Sequence, residues 1–466
     1  MATIHFHGAA QQVTGSCHLL ESSAIGTVLL DCGIEQGGSE NEFYDKQFAF
    51  NPQSIDAVIL SHAHLDHSGM LTKLVRQGFH GHIYCTHATK ALLAVLLKDA
   101  VSIYLHDLER ENIRRARAGD SPLPAVIDKP DVDKVLSLCQ SYDYLERISI
   151  GKAGVLTFRD AGHILGSAIV ELALTERGER KVLVFSGDLG NPDTVLMKPP
   201  VPLYHADLLL MEGTYGDRDH RDYGKTCDQF AAILERAKQQ GGTVLIPSFA
   251  VGRTQELLFH LGCLYHEGKL NGWQVFLDSP MAIAVTEIYD RWASLLDKQA
   301  MHHLAKYRYE SLEAFLPNLH LTPDAEQSMA LNRIQGGAII IAGSGMCTGG
   351  RIRQHFKHRL WRTDTTVIFV GFQARNSLGR LLVDGVKRIK LFGEQIAVKA
   401  NIETLGGFSA HAGQTQLIEW QQHFKNNPRT VLVHGEAKAL EALAEKLWQD
   451  HQVKVHIPQL GEQMSF

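Results

Sequence analysis

The feature that most constrains this chain is a six-residue segment that carries four potential metal ligands. The segment is His62-Ala63-His64-Leu65-Asp66-His67, and only Ser61 separates it from the apolar run 55–60, which predicts a buried strand. Imidazole nitrogens and carboxylate oxygens are ligands that Zn²⁺ accepts, and neutral histidine is available near pH 7. A polar loop with chance histidines is the alternative interpretation. The segment favours a strand end that delivers several ligands to one metal site.

Three later segments repeat this arrangement of an apolar strand that stops at a potential ligand. They end at His163, at Asp188 and at His434. Taken singly, each residue would more often be a hydrogen-bonded turn residue than a ligand. Together with the first segment they supply five histidines and two aspartates. Two metal ions that share one bridging carboxylate need about that many ligands.

Length and composition narrow the class of protein. A chain of 466 residues is too long for one ordinary core, which predicts at least two domains. The seven cysteines are an odd number without Cys-x-x-Cys spacing, which argues against a disulfide framework and a thiolate zinc site. No secretory signal pattern and no bilayer-length apolar stretch is visible. We therefore expect a cytoplasmic protein with no membrane partner.

The net charge of −5 hides a basic segment. Between Arg351 and Lys390 the chain has ten Lys or Arg and two Asp, a local charge of about +8. A local basic patch is what a phosphate-backbone partner needs. A solvated helix face is the alternative, and the residues alone leave the two interpretations about equal.

The order of apolar runs predicts two kinds of α/β architecture. The first half reads as a sheet-rich sandwich flanked by helices. The middle of the chain predicts successive strand–loop–helix units of a parallel sheet, on the basis of apolar runs such as 242–247, 274–278 and 338–342. The last seventy or so residues return to the first pattern. We place the boundaries at 1–208, 209–395 and 396–466, so that the middle domain is an insertion.

Taken together, these segments resemble the metallo-β-lactamase-fold hydrolases and, more narrowly, the β-CASP nucleases. That group includes the cleavage-and-polyadenylation endonuclease family, RNase J and their bacterial and archaeal relatives. On its own, the histidine-rich segment 62–67 indicates only the superfamily. The narrower resemblance rests on the segments 211–216 (MEGTYG), 247–253 (PSFAVGR), 343–351 (GSGMCTGGR), 408–411 (FSAH) and 433–436 (VHGE), which follow in family order. The implied fold is a metallo-β-lactamase αββα sandwich with an inserted β-CASP parallel α/β domain.

The resemblance also implies the ligands and their partners. One metal would be held by His62, His64, His163 and Asp188, and the second by Asp66, His67, His434 and the bridging Asp188. Catalytic roles would fall to Asp66 as a ligand, to Asp31 as a carboxylate behind the ligands, and to the pair Glu212 and His411. The implied cofactors are two Zn²⁺ ions per chain, with Mn²⁺ as the alternative in one or both sites.

The implied reaction is hydrolysis of RNA phosphodiester bonds. A hydroxide activated by two metals would attack phosphorus, and His411, held protonated by Glu212, would donate a proton to the leaving oxygen. Products would carry 5′-phosphate and 3′-hydroxyl ends because water is the nucleophile. Within the family His434 favours single-stranded RNA over DNA. Whether cutting is endonucleolytic alone or also 5′-to-3′ exonucleolytic stays open, as do the physiological RNA and homodimerisation.

A glycine-rich loop supplies candidate phosphate contacts. The segment 343–351 follows an apolar strand, and its glycines would let backbone amides approach a phosphate. It is not a Walker loop, so no nucleotide cofactor is expected. The candidate RNA phosphate-binding residues are Ser248, Arg253, Ser344, Gly345, Arg351 and Arg375.

Three alternatives to a ribonuclease remain open. One is a catalytically inactive scaffold for RNA processing, which the complete ligand set disfavours. The second is a single-stranded DNA nuclease and the third a small-molecule metallohydrolase, and the inserted domain with its basic segment argues against the latter. Archaeal relatives often carry extra N-terminal RNA-binding domains. Because a strand is expected within a few residues of Met1, we expect none here.

Overall fold

The strands form where the apolar runs of the sequence place them. The computed structural model describes residues 2–35, 44–371, 373–374 and 377–466. The strands are β1 (Thr3–Phe6), β2 (His18–Ser22), β3 (Gly26–Leu30), β4 (Ala57–Ile59), β5 (His82–Thr86), β6 (Cys139–Tyr142), β7 (Ile148–Ile150), β8 (Gly154–Asp160), β9 (Ala168–Glu176), β10 (Glu179–Phe185), β11 (Leu208–Glu212), β12 (Thr243–Pro247), β13 (Gln274–Asp278), β14 (Leu319–Leu321), β15 (Ala338–Ala342), β16 (Thr365–Phe369), β17 (Arg388–Leu391), β18 (Glu394–Ala397), β19 (Asn401–Thr404), β20 (Arg429–Val433), β21 (Val455–His456) and β22 (Gln463–Ser465).

The helices fill the intervals between these strands. They are α1 (Leu65–Ser68), α2 (Leu71–Arg76), α3 (His87–Ala118), α4 (Lys129–Leu138), α5 (Tyr223–Gln239), α6 (Arg253–His266), α7 (Pro280–Arg291), α8 (Lys298–Lys306), α9 (Leu312–Phe315), α10 (Ala325–Ala330), α11 (Ile352–Arg359), α12 (Leu378–Val383), α13 (Gln414–Gln421) and α14 (Ala437–His451). The longest, α3, begins at the Thr86 cap and ends at Gly119, whose φ of +84° suits glycine. Among the described residues, no helix combines the length and apolar character needed to cross a membrane.

The described residues of Met1–Pro192, Pro199–Asp219 and His411–Phe466 form the first of two compact units. It contains two seven-stranded sheets, in the orders β22-β1-β2-β3-β4-β5-β6 and β21-β20-β11-β10-β9-β8-β7. Side chains alternate across each sheet, so in β3 Val28 and Leu30 face the core between the sheets while Leu29 faces the helices. The predicted αββα sandwich is confirmed.

Helices cover both outer faces of this sandwich. On the first sheet, α2, α3 and α4 contribute side chains such as Leu71, Leu93 and Val132 to one outer core. On the second sheet, α13 and α14 contribute Leu417 and Leu440 to another. Because each sheet is buried on both faces, its central strands are continuously apolar, as the sequence shows.

The second unit comprises Asp193–Lys198 and His220–Ala410. Its main sheet has the order β14-β13-β15-β12-β16-β19, and every pairing between these strands is parallel. One face packs on α5 and α6, the other on α11 and on the two-stranded hairpin β17–β18. The parallel α/β architecture predicted for the middle of the chain is confirmed.

The limits of the two units differ from the boundaries placed on the sequence. Position 209 lies within β11, which pairs with β10 and β20 in the first unit. Position 395 lies within β18, and the following β19 pairs with β16 in the second unit's sheet. Strand pairing connects residues that are far apart in the sequence, so local composition does not show on which side of a boundary these strands belong.

Candidate metal centre

Three groups of ligand-type side chains come together in the described residues, all of them in the first unit. Except for His411, which forms an isolated β-bridge with Gly190, each of these side chains follows a strand or ends one, so the sheets position most of the group. The groups are His62, His64, His163 and Asp188; Asp66, His67 and His434; and Asp188, Glu212 and His411. The structure therefore brings every predicted metal ligand together around Asp188.

The first group has the spacing of a tetrahedral zinc site. Four donors that each lie 2.0–2.1 Å from one ion would be about 3.3 Å from one another. The Nδ1 atom of His64 is 3.1 Å from Nε2 of His62 and 3.2 Å from Nε2 of His163. The Oδ2 atom of Asp188 is 3.5 Å from both Nε2 atoms. These donors fit one zinc ion.

The second group uses the other oxygen of the same carboxylate. Asp188 Oδ1 lies 3.3 Å from Nε2 of His67, which is itself 3.1 Å from Nε2 of His434. Asp66 Oδ2 lies 3.7 Å from that His434 nitrogen. Asp188 is 2% exposed, and its Oδ1 accepts no hydrogen bond from the residues that the structure describes. A buried carboxylate oxygen without a donor is costly, so this position fits a second cation.

The protonation states of the first group suit metal binding. Burial lowers the pKa of His62 well below its ordinary value, and the neighbouring His67 lowers it further. Burial also lowers the pKa of His64. Burial alone would raise the pKa of Asp188, but His434 and His67 outweigh it, and the pKa lies well below its ordinary value. Neutral imidazoles and an ionised carboxylate are the forms that ligate zinc.

Hydrogen bonds behind the ligands orient three of the histidine rings. Ser61 Oγ is 3.0 Å from Nδ1 of His62, and Asp31 Oδ2 is 2.6 Å from Nδ1 of His67. Thr214 Oγ1 is 3.2 Å from Nδ1 of His434. Each contact occupies Nδ1 and leaves Nε2 for a metal, because a neutral imidazole carries one N–H donor.

Asp31 is itself held in a tight network. Its Oδ1 accepts the backbone N–H of Ser61 at 2.7 Å, and its Oδ2 accepts the hydroxyls of Ser61 and Ser16. The φ angle of Asp31 is +60°, an uncommon conformation for a residue other than glycine. Close by, Gly33 packs so tightly that a Cβ atom would lie 1.7 Å from the Asp66 carbonyl oxygen. This backbone conformation places the Asp31 carboxylate within hydrogen-bond distance of the His67 ring.

Glu212 and His411 form a second carboxylate–imidazole pair. Glu212 Oε1 is 3.1 Å from Nδ1 of His411 and accepts the backbone N–H of Leu189, while its Oε2 accepts that of Thr214. Burial lowers the pKa of His411, but the carboxylates of Glu212 and Asp188 outweigh it and raise the pKa to about 9. The Nε2 atom of His411 is 3.9 Å from Asp188 Oδ2, so it faces the metal centre.

Sequence reasoning missed the hydroxyl groups of this centre. Ser61, Ser16 and Thr214 were not candidates, although each contacts Asp31 or a ligand. A partial signal existed, since Ser61 directly precedes His62 and Thr214 lies within the segment 211–216. Serine and threonine are too common in turns for such positions to stand out.

The described candidates for phosphate binding lie in the second unit, and each side chain among them has a partner within the protein. Ser248 is 2% exposed and accepts from the Thr254 hydroxyl. Arg253 donates a hydrogen bond from its guanidinium to Oε2 of Glu256 at 3.4 Å. Ser344 Oγ accepts the Gly349 N–H, and the Gly345 carbonyl accepts from Gln373. Arg375 lies outside the described residues.

Arg351 belongs to a buried polar cluster around Asp278. Its guanidinium donates to Asp278 Oδ1 at 2.8 Å and to the Thr322 and Pro323 carbonyls at 2.6 and 2.7 Å. Asp278 Oδ2 contacts His355 Nε2 at 2.6 Å and accepts the Ser328 hydroxyl at 2.7 Å. A role in phosphate binding would require Arg351 to exchange these contacts.

Known families match this chain in three successive segments. Residues 11–230 match the metallo-β-lactamase superfamily, residues 254–382 the β-CASP domain, and residues 395–458 the Zn-dependent metallo-hydrolase RNA specificity domain. Each family description therefore covers a segment that contains motifs on which the resemblance rests.

Individual relatives match over most of the chain. A ribonuclease of Thermus thermophilus is 41% identical over 94% of this chain and 94% of its own length. Transcription termination factor FttA of Methanothermobacter thermautotrophicus is 30% identical over 97% of this chain and 70% of its own length. A crystal structure of a protein of unknown function from Enterococcus faecalis covers 100% of both chains with a TM-score of 0.55 and 13% identity, which reflects a shared fold alone.

Proposed function

The chain belongs to the β-CASP family of metallo-β-lactamase-fold hydrolases and is a metal-dependent hydrolase, and from this we propose that it is a zinc-dependent ribonuclease. It holds two Zn²⁺ ions, cleaves single-stranded RNA endonucleolytically and leaves 5′-phosphate and 3′-hydroxyl ends. The ribonuclease name of the Thermus relative and the match of residues 395–458 to an RNA specificity domain support RNA as the substrate.

The position of Asp188 is the observation that carries this proposal. Its Oδ2 faces the histidines of the first ligand group, and its Oδ1 faces His67 of the second. One carboxylate shared between two donor groups is the arrangement of a two-metal site. Such sites recur in enzymes that cleave phosphate esters.

When bound, zinc would polarise the scissile phosphate and activate water for attack. The residues of the chain supply orientation and a proton. Asp31, Ser61 and Thr214 keep the Nε2 atoms of their histidines directed inward. His411 carries a proton that Glu212 stabilises, and its Nε2 can donate that proton to the departing 3′-oxygen.

The chemical ends of the products test the reaction. Wild-type protein and the double variant His64→Ala/Asp66→Ala are incubated with end-labelled RNA and with single-stranded DNA of the same sequence. We expect internal cleavage of RNA, 5′-phosphate and 3′-hydroxyl ends, and no cleavage by the variant. A 2′,3′-cyclic phosphate would exclude water as the nucleophile, and preferred cleavage of DNA would exclude RNA as the substrate.

Metal content distinguishes a ribonuclease from an inactive scaffold. The proposed enzyme should retain about two zinc ions per chain, and a scaffold that has lost activity should retain few or none. The control variant is Asp133→Asn, which removes an exposed carboxylate of α4 that is not a predicted metal ligand. Hydrolysis of a chromogenic lactam without RNA cleavage would instead indicate a small-molecule hydrolase.

A further inference from the structure

The basic segment of the second unit separates into side chains with internal partners and side chains without them. Arg351 contacts Asp278, and Arg359 is 1% exposed and bonded to the Leu331 carbonyl. Three more are paired with carboxylates: Lys357 with Glu394, Arg362 with Asp364 and Arg380 with Asp384. Lys387, Arg388 and Lys390 are exposed and have no carboxylate partner in the part of the chain that the structure describes.

The hairpin β17–β18 directs two of these free charges to one face. Ile389, Leu391 and Ile396 pack into the core, so the alternating residues of β17, Arg388 and Lys390, face solvent. Their cross-strand partners are Ala397 and Gln395, neither of which is acidic. The hairpin's carboxylate, Glu394, is opposite Leu391 and pairs with Lys357 at 2.7 Å. The solvent face of the hairpin is therefore positively charged.

An aromatic ring occupies the tip of the same hairpin. Phe392 and Gly393 form the two-residue turn between Leu391 and Glu394, with φ angles of +49° and +84°. Such turns favour Asn-Gly or Asp-Gly, and a bulky residue at positive φ is an outlier. Phe392 is nevertheless 49% exposed, and the Arg353 guanidinium lies 5.3 Å from its ring centroid. An unfavourable residue at an exposed turn suggests a function for its ring.

We infer that this face, formed by Arg388, Lys390 and Phe392, binds single-stranded RNA. The two cations would contact successive phosphates, and the ring of Phe392 would stack on an unpaired base, beside the Arg353 guanidinium. An exposed aromatic ring favours single strands because duplex bases are already stacked. The inference deepens the proposed function, on which it rests, by identifying a substrate-binding surface outside the metal centre.

Equilibrium binding tests the two components separately. The holoprotein is titrated against a 5′-fluorescent, single-stranded phosphorothioate RNA at several salt concentrations. The variant Arg388→Gln/Lys390→Gln should bind several-fold more weakly, and its slope of log K against log salt should be less steep by about 1.4. Arg291→Gln/Lys298→Gln, which removes two exposed charges from the same unit, should change neither quantity.

Phe392→Asn separates a binding role from a structural one. Asparagine tolerates positive φ better than phenylalanine, so the melting temperature should stay the same or rise. Loss of stacking should weaken RNA binding about 5- to 100-fold, and Phe392→Trp should restore it. A structural role alone predicts unchanged affinity for both variants.

The remaining outcomes distinguish this inference from the proposed function. If the wild type cleaves ordinary RNA and the hairpin variants match the control, the inference is overturned and the ribonuclease proposal stands. If RNA binding depends on the hairpin but no cleavage occurs, the inference stands and the ribonuclease proposal falls. If RNA is not bound, both fall. Equal competition by a poly-glutamate peptide would indicate a site for acidic polymers and overturn the inference.

Discussion

Two buried aspartates, Asp188 in the first unit and Asp278 in the second, have opposite surroundings. Both carboxylates are almost inaccessible to solvent. Asp278 has hydrogen-bond partners on both oxygens, including the Arg351 guanidinium and the Ser328 hydroxyl. Asp188 is surrounded by imidazole nitrogens at 3.3–3.9 Å, and among the described residues none donates a hydrogen bond to its Oδ1. A buried charge needs compensation. Hydrogen-bond donors of the protein compensate the charge of Asp278, whereas the surroundings of Asp188 favour compensation by bound cations.

The largest effect should follow from removing the shared carboxylate. Asp188→Ala takes a ligand from both groups at once, so zinc content should fall below one ion per chain and kcat/KM should drop at least about 1000-fold. Atomic spectroscopy and RNA cleavage assays measure these quantities, with Asp133→Asn as the control. Retention of two zinc ions would contradict the bridging role of Asp188.

Replacement of the buried aspartate in the second unit, Asp278, should affect the stability of the protein and not its metal content. Asp278→Asn leaves the partners of a buried carboxylate uncompensated, which should cost about 3 kcal/mol in the free energy of unfolding with zinc content unchanged. Hydrogen bonds from His355, Ser328 and Arg351 outweigh the effect of burial and lower the pKa of Asp278 to about 2. Denaturant unfolding measures the difference between variant and wild type.

The pH dependence of that difference sharpens the test. Because the pKa of Asp278 is lower in the folded state, its contribution is fully present above the unfolded pKa near 4. This contribution should be lost as pH falls from about 4 to about 2. The free energies of unfolding of wild type and Asp278→Asn should therefore converge in that range. Loss of zinc in Asp278→Asn would show that the contrast between the two aspartates is wrong.

Glu212→Gln separates proton donation from metal binding. The Glu212 carboxylate supports the proton on His411, so its neutralisation should lower kcat about 100-fold while zinc content and KM for RNA stay unchanged. Steady-state kinetics and metal analysis on the same preparation check this. Asp188, Glu212 and His411 also have ligand spacing, and loss of zinc in the variant would assign Glu212 to the metal centre instead.

Asp31→Asn should have a moderate effect, because it acts on His67 through a hydrogen bond. The amide can accept only through its single carbonyl oxygen, so the ring of His67 would be held less firmly. Zinc affinity and kcat/KM should each fall about 10- to 100-fold. Competition with a chromophoric chelator measures the affinity. An unchanged affinity would remove Asp31 from the support of the metal centre.

The predicted metal ligands could be found in the sequence because each segment that carries them follows an apolar strand. Strand ends in a sheet converge, and the chemistry of His and Asp limits what such convergence can bind. A sheet-rich sandwich flanked by helices and a parallel α/β sheet were predictable because the apolar runs alternate with helical segments, and the family resemblance implied the αββα order of the sandwich. The family resemblance supplied the distribution of these residues between two groups.

The environment of the basic segment could not be predicted in this way. Arg351 pairs with Asp278, which lies 73 positions earlier, and Thr214 contacts His434 across 220 positions. Such pairings depend on strand order and packing, which a count of charges does not contain. A sum of about +8 therefore combined buried, paired and free cations, and only the fold distinguishes them.

Arg351→Ala should have the smallest effect on activity. Because its donors are directed to Asp278, Thr322 and Pro323, KM for RNA and the salt dependence should stay within about twofold of wild type, while stability falls by about 1–2 kcal/mol. Parallel kinetics and denaturant unfolding check both results. A raised KM with a flattened salt dependence would restore the phosphate-binding role predicted from the sequence. In that case the polar cluster around Asp278 would have to release Arg351 to the substrate, and the contrast with Asp188 would be one of degree.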